Sequence, residues 1–161
     1  MVVAYFRHKL WLLPLVVSAV VAAAATTGKT RYSETSNREL RQNALQLVKR
    51  IRELVYSYDR KDRELLAEYD RKERPDLTSG ATKTARQQWL KDTDALHDST
   101  MRKYKELYWS DAILLAAEVL RRLPKQKQQA NILGIYQHPT NVLGVQTVAD
   151  HLELIAKLLP D

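Results

Sequence analysis

The chain has 161 residues, with 26 Lys or Arg against 19 Asp or Glu for a formal charge of +7, which is room for one domain. It contains no cysteine, and this excludes a disulfide scaffold, a thiol nucleophile, a Cys-ligated metal and a lipid anchor attached through sulfur. Four glycines, five prolines and few alternating β-branched runs argue against a sheet, so the expected class is all-α.

Residues 1–28 place Arg7 and Lys9 before an uncharged stretch, Leu10 to Ala25, that ends in small residues. That is the order of an export signal. The uncharged stretch falls short of the roughly 20 residues that span a bilayer, although Thr26, Thr27 and Gly28 extend it. Ala23-Ala24-Ala25 offers a small-residue cleavage site before Thr26. The segment therefore fits either a cleaved signal peptide or a retained anchor helix through residues 10–28. In both cases the rest is expected outside the cytoplasm, membrane-anchored or free as a periplasmic or extracellular protein. Residues 29–35 read as a polar tether and 36–161 as the folded domain.

Ser36-Asn37-Arg38-Glu39 has the form of a capping box, in which hydroxyl and carboxylate satisfy the free N–H groups of a helix start. Leu40, Ala44, Leu47, Ile51, Leu54 and Tyr58 then step by four and three, a heptad-like seam that Val48 and Val55 widen. The seam lapses over Asp59 to Arg63 and resumes at Leu65, Leu66 and Tyr69. Pro75 and Gly80 mark a turn, and Thr84 is a candidate cap for the next helix. Trp89, Leu90, Leu96, Thr100 and Met101 lead that helix into Leu107 to Leu123, the most apolar run outside the N-terminus. On a helical wheel this run has an apolar arc too wide for a surface helix, and it reads as the central helix of a small bundle.

Two long helices with a short connection fold antiparallel, so a helical hairpin is expected, 36–74 against 83–123. Arg121 and Arg122 suit the negative end of the second arm, and Pro124 stops it. A short helix over 126–137, a turn at His138 to Asn141 and a last helix capped at Thr147 complete the chain. The two short helices are expected to thicken one end of the hairpin, leaving the other as a slim charged finger.

Asp94, His97 and Asp98 lie at i, i+3 and i+4 and share a helix face, which makes them the sharpest metal candidate. Carboxylate-bridged metal bundles need a carboxylate-x-x-His motif from each of two helices, and only one is present, so the bland reading of a solvated face carries more weight. Asp111 and Glu118 fall in the polar arc of the central run and read as a salt-bridged stripe. No Gly-rich phosphate loop, nucleophile elbow or Ser/His/Asp order occurs.

The expected function is an exported or membrane-anchored α-helical interaction or scaffold protein without catalysis or a cofactor. It would meet a protein partner, or a second copy, through Leu107, Trp109, Leu114, Tyr104 and Tyr108. Two alternatives stand beside it. One is a small-molecule- or metal-binding bundle of the cell envelope; the other is a basic finger that binds anionic lipid or envelope polymer. Export argues against nucleic acid as a partner.

Overall fold

The computed structural model describes residues 31–73, 80–123 and 139–160. The stretches read as an export signal or anchor and as a helix over 126–137 lie outside the described residues. The described residues themselves are all helix, turn or cap. Helix α1 (Asn37–Glu73) is followed by α2 (Gly80–Tyr104), a π-helical turn at Lys105–Trp109, α3 (Ser110–Arg122) and α4 (Val142–Lys157). The π turn joins α2 to α3 as one arm, so the described residues form three helical rods. No helix among them is long and apolar enough to cross a membrane.

The capping box starts α1. Ser36 Oγ accepts from the Glu39 N–H at 3.2 Å, and Glu39 Oε2 accepts from the Ser36 N–H at 2.9 Å. The second bond, together with one from the Ser36 hydroxyl, holds the Glu39 carboxyl below its ordinary range. From there α1 runs 37 residues, about 55 Å at 1.5 Å per residue. Leu40, Ala44, Leu47, Val48, Ile51 and Val55 are all buried, with Leu54 and Tyr58 packed at the edge.

All the other rods pack on α1, so the central element is this helix and not the run from Leu107 to Leu123. Helix α1 packs against each of α2, α3 and α4, so each of them finds its apolar stripe along the same rod.

The second arm lies antiparallel to α1, with Tyr69 stacked on Trp89 at one end and Arg122 against Tyr32 and Thr35 at the other. Helix α2 begins at Gly80, which leaves Thr84 more than a turn inside the helix, with no free N–H to cap. Along this arm Tyr104, Tyr108, Ala112, Ala116 and Leu120 step by four. Each step overshoots a 3.6-residue turn by about 40°. The π turn accommodates one extra residue, absorbs much of that drift and keeps the stripe facing the bundle. Downstream of it Ala112, Leu115, Ala116, Val119 and Leu120 are buried. The arm ends at Leu123, whose extended backbone (φ −77°, ψ 145°) is what a residue preceding proline adopts.

Helix α4 also runs antiparallel to α1, with Arg41 bonded to the Leu159 carbonyl and Arg52 to Asp150. Its cap is Asn141, whose side chain accepts from the Gly144 N–H at 2.7 Å. The expected cap, Thr147, is instead inside the helix and donates back to the Leu143 carbonyl. Val142 and Val145 are buried, so starting nearly two turns earlier adds apolar contact. Position 144 must be small, because a Cβ there would come within 2.9 Å of Pro139 Cβ.

Three rods therefore enclose a core from Leu40 to Val55. Beyond Tyr58 only α1 and α2 continue, as a two-helix finger.

Candidate functional site

The most heavily bonded polar cluster lies where α3 ends. Glu118 is 1% exposed, inside the helix face that the wheel assigned to solvent. Arg121 donates to both of its oxygens, at 2.6 and 3.0 Å, and Arg122 Nε donates at 2.8 Å. The far side of the Arg122 guanidinium reaches across to the chain ahead of α1. It donates to the carbonyls of Thr35 (2.6 Å), Tyr32 (2.9 Å) and Ser33 (3.3 Å), and to Asn37 Oδ1. Burial by itself pushes the Glu118 carboxyl up, but the hydrogen bonds and charges of Arg121 and Arg122 outweigh it and hold it below its ordinary range.

Such a cluster is costly to assemble, since desolvation offsets most of the Coulombic gain. What it does is fix geometry. The described part of segment 29–35, read from sequence as a polar tether, is folded against the bundle, with Tyr32 in the core at 7% exposure. The clasp was half visible beforehand: Glu118, Arg121 and Arg122 have i, i+3, i+4 spacing. Their target, three backbone carbonyls some 90 residues away, left no mark in the sequence.

Two grooves flank α1. On the α4 side a cleft of about 540 Å³ is lined by Leu45, Val48, Lys49, Arg52, Tyr56 and Glu153 among others. Tyr56 stands 64% exposed on its rim. Arg52 bonds both Asp150 and Glu153 across the helix pair, and Lys157 joins Glu153. On the α3 side a more polar groove of about 390 Å³ is lined by Arg31, Asn43, Gln46, Arg50 and Asp111, with Leu47 and Leu115 beneath. Arg31 reaches Asp111 at 3.4 Å. Sequence reading passed over both grooves, because each lies between helices whose pairing only the fold supplies.

The residues expected to meet a partner separate in the structure. Leu107, in the π turn, is 61% exposed. Tyr104 is fully buried, its ring 6.1 Å from that of Trp109. Trp109, Tyr108 and Leu114 are half-buried against the core. A Leu114→Asp substitution would thus injure the fold as well as the surface.

Asp94, His97 and Asp98 share the expected helix face, but Asp98 points to solvent and pairs with His97 only at 3.5 Å. His97 turns instead toward a cleft with Val55, Tyr58 and Val142. Among the described residues no group of three His, Cys, Asp or Glu side chains is placed to hold a metal ion.

Residues 60–91 carry nine cations against six acids, and widening the finger to 59–98 adds four acids and no cation. No protein-family model, no curated protein and no solved structure matches the chain.

Proposed function

We propose that this chain is an exported or membrane-anchored α-helical interaction protein with no catalytic step of its own. The supporting observation is how its side chains are committed. The buried acid Glu118 is held in a clasp and the cross-helix cations in pairs, while a large apolar residue, Leu107, stands out from the π turn. π turns interrupt helices at functional positions more often than chance. An exposed leucine flanked by half-buried Tyr108 and Trp109 has the make-up of an interface anchor, with an apolar centre and a polar rim.

The test is a photo-crosslinking residue placed at position 107 in the full chain in its host, with position 66 on the finger as a control. A discrete adduct at 107, absent at 66 and lost when Tyr108→Ala accompanies the probe, supports the reading. Equal labelling at both positions, or none at 107, removes it. Intact mass and fractionation of the same protein separate a processed chain beginning near Thr26 from a retained anchor.

A further inference from the structure

We infer that the π turn at Lys105–Trp109 is a one-residue surplus in the second arm, which the fold does not need and which projects Leu107 into an apolar socket on a partner protein. The inference rests on the interaction reading above and deepens it, by separating the residue that meets the partner from the residues that hold the bundle.

Register carries the first half. Upstream of the turn Trp89 stacks on Tyr69 of α1, and Thr100 and Tyr104 are buried; downstream Ala112, Leu115, Ala116 and Val119 are buried. On an unbroken α-helix these two faces would point about 100° apart, which is the rotation of one residue. A π turn holds one extra residue and so brings both faces to the same side. Removing one residue from positions 105–107 achieves the same by closing the turn into ordinary helix, with both faces and the Arg122 clasp left in place.

The contents of the turn carry the second half. It buries no residue of its own. Leu107 is 61% exposed, and Lys105 and Glu106 are exposed with no side-chain hydrogen bond or ion pair among the described residues. Tyr108 and Trp109 pack on the core, the Trp109 ring 6.1 Å from that of Tyr104, so the leucine stands on a fixed base. A surplus residue that buries nothing adds no stability to the free chain. One leucine beside a free cation and a free acid suits an apolar socket with a mixed polar rim.

The test uses the full chain in its host with a photo-crosslinking residue at position 106, in four forms: otherwise wild type, Leu107→Ser, a deletion of Leu107 and a deletion of Ala117. Ala117 lies within regular α3, where no surplus exists. Deleting Leu107 is expected to keep wild-type helicity by circular dichroism and to move the urea midpoint by less than about 0.5 M, while the partner adduct is lost. Leu107→Ser keeps the turn, and its adduct should fall about ten-fold with helicity unchanged. Deleting Ala117 turns Val119 and Leu120 about 100° off the core and should unfold the arm.

A Leu107 deletion that loses stability as the Ala117 deletion does makes the turn structural, and overturns the inference while the interaction reading stands. A folded Leu107 deletion that still forms the adduct overturns it as well. No adduct from the wild-type turn, with the probe at 106 or at 107, removes the interaction reading and this inference together.

Discussion

The body of the bundle and its finger are built from the same two rods, yet they hold together by different means. Between Leu40 and Val55, α1 buries a residue at nearly every turn against α3 and α4. Among the described residues from Tyr56 to Ser99 none is fully buried; Leu66 and Leu90 are 44% and 46% exposed, and the stacked Tyr69–Trp89 pair is the main apolar contact. A pair of helices has one interface, so each side chain in it keeps one flank in water. A third rod closes that flank. The boundary is set by Asn141, whose cap starts α4 level with Val55 and Tyr58.

The largest effect that should sharpen this contrast is at the clasp. Arg122→Ala removes a partner from a nearly buried carboxylate and releases three carbonyls ahead of α1 and the Asn37 side chain at its start, for an expected loss of about 3–5 kcal/mol. Arg121→Ala, at an exposed position, should cost about 1 kcal/mol. Urea denaturation of the pair checks both. The clasp also predicts a pH dependence. Because the folded Glu118 carboxyl is held below its unfolded range, its stabilisation is present at neutral pH and is lost as acid carries the pH down through the lowered folded value. The stability gap between wild type and Glu118→Gln should therefore be flat near neutrality and shrink on acidification; a gap that widened would contradict the clasp.

Core truncation tests the contrast directly. Leu152→Ala, at a fully buried position of α4, should cost about 2–5 kcal/mol, whereas Leu66→Ala on the finger should stay within about 0.5 kcal/mol. Native-state hydrogen exchange reads the same difference without mutation, since amides of residues 60–70 should open at lower free energy than those of 44–51. Equal protection would mean that the finger is held by something besides its own two helices.

One small effect has the opposite sign. The Tyr104 hydroxyl is fully buried with no hydrogen-bond partner among the described residues, and burial alone pushes its phenol well up. Tyr104→Phe removes that uncompensated group and should raise stability by about 1 kcal/mol, measured as a higher urea midpoint. A loss would show that the hydroxyl is satisfied, for instance through water.

Much of the architecture was legible because it depends on local spacing. The capping box at Ser36 and Glu39, the seam from Leu40 to Tyr58, the antiparallel hairpin and the stop after Leu123 each follow from neighbours within a turn or two, where sequence separation and spatial separation agree. Two caps were misplaced for a related reason. Thr84 and Thr147 have suitable side chains, but helix starts also respond to what lies alongside. Burial of Val142 and Val145 and the close approach of Gly144 to Pro139 draw α4 back to Asn141. The candidate site was less legible: the same helical run places Leu107 in solvent and Tyr104 in the core, and a π turn between helical stretches has no reliable signature in residue type.

The sequence by itself determined that the chain is helical, where its long rods run and which stripe of each is apolar, because helix formation and amphipathic periodicity are properties of consecutive residues. Tertiary structure alone decided that α1 is the common partner, that Glu118 is buried though it faces the polar side of its own helix, and that Arg122 closes on the carbonyls of Tyr32, Ser33 and Thr35. Those outcomes depend on which surfaces meet, and a buried charge is tolerated only where a distant segment arrives to complete its hydrogen bonds.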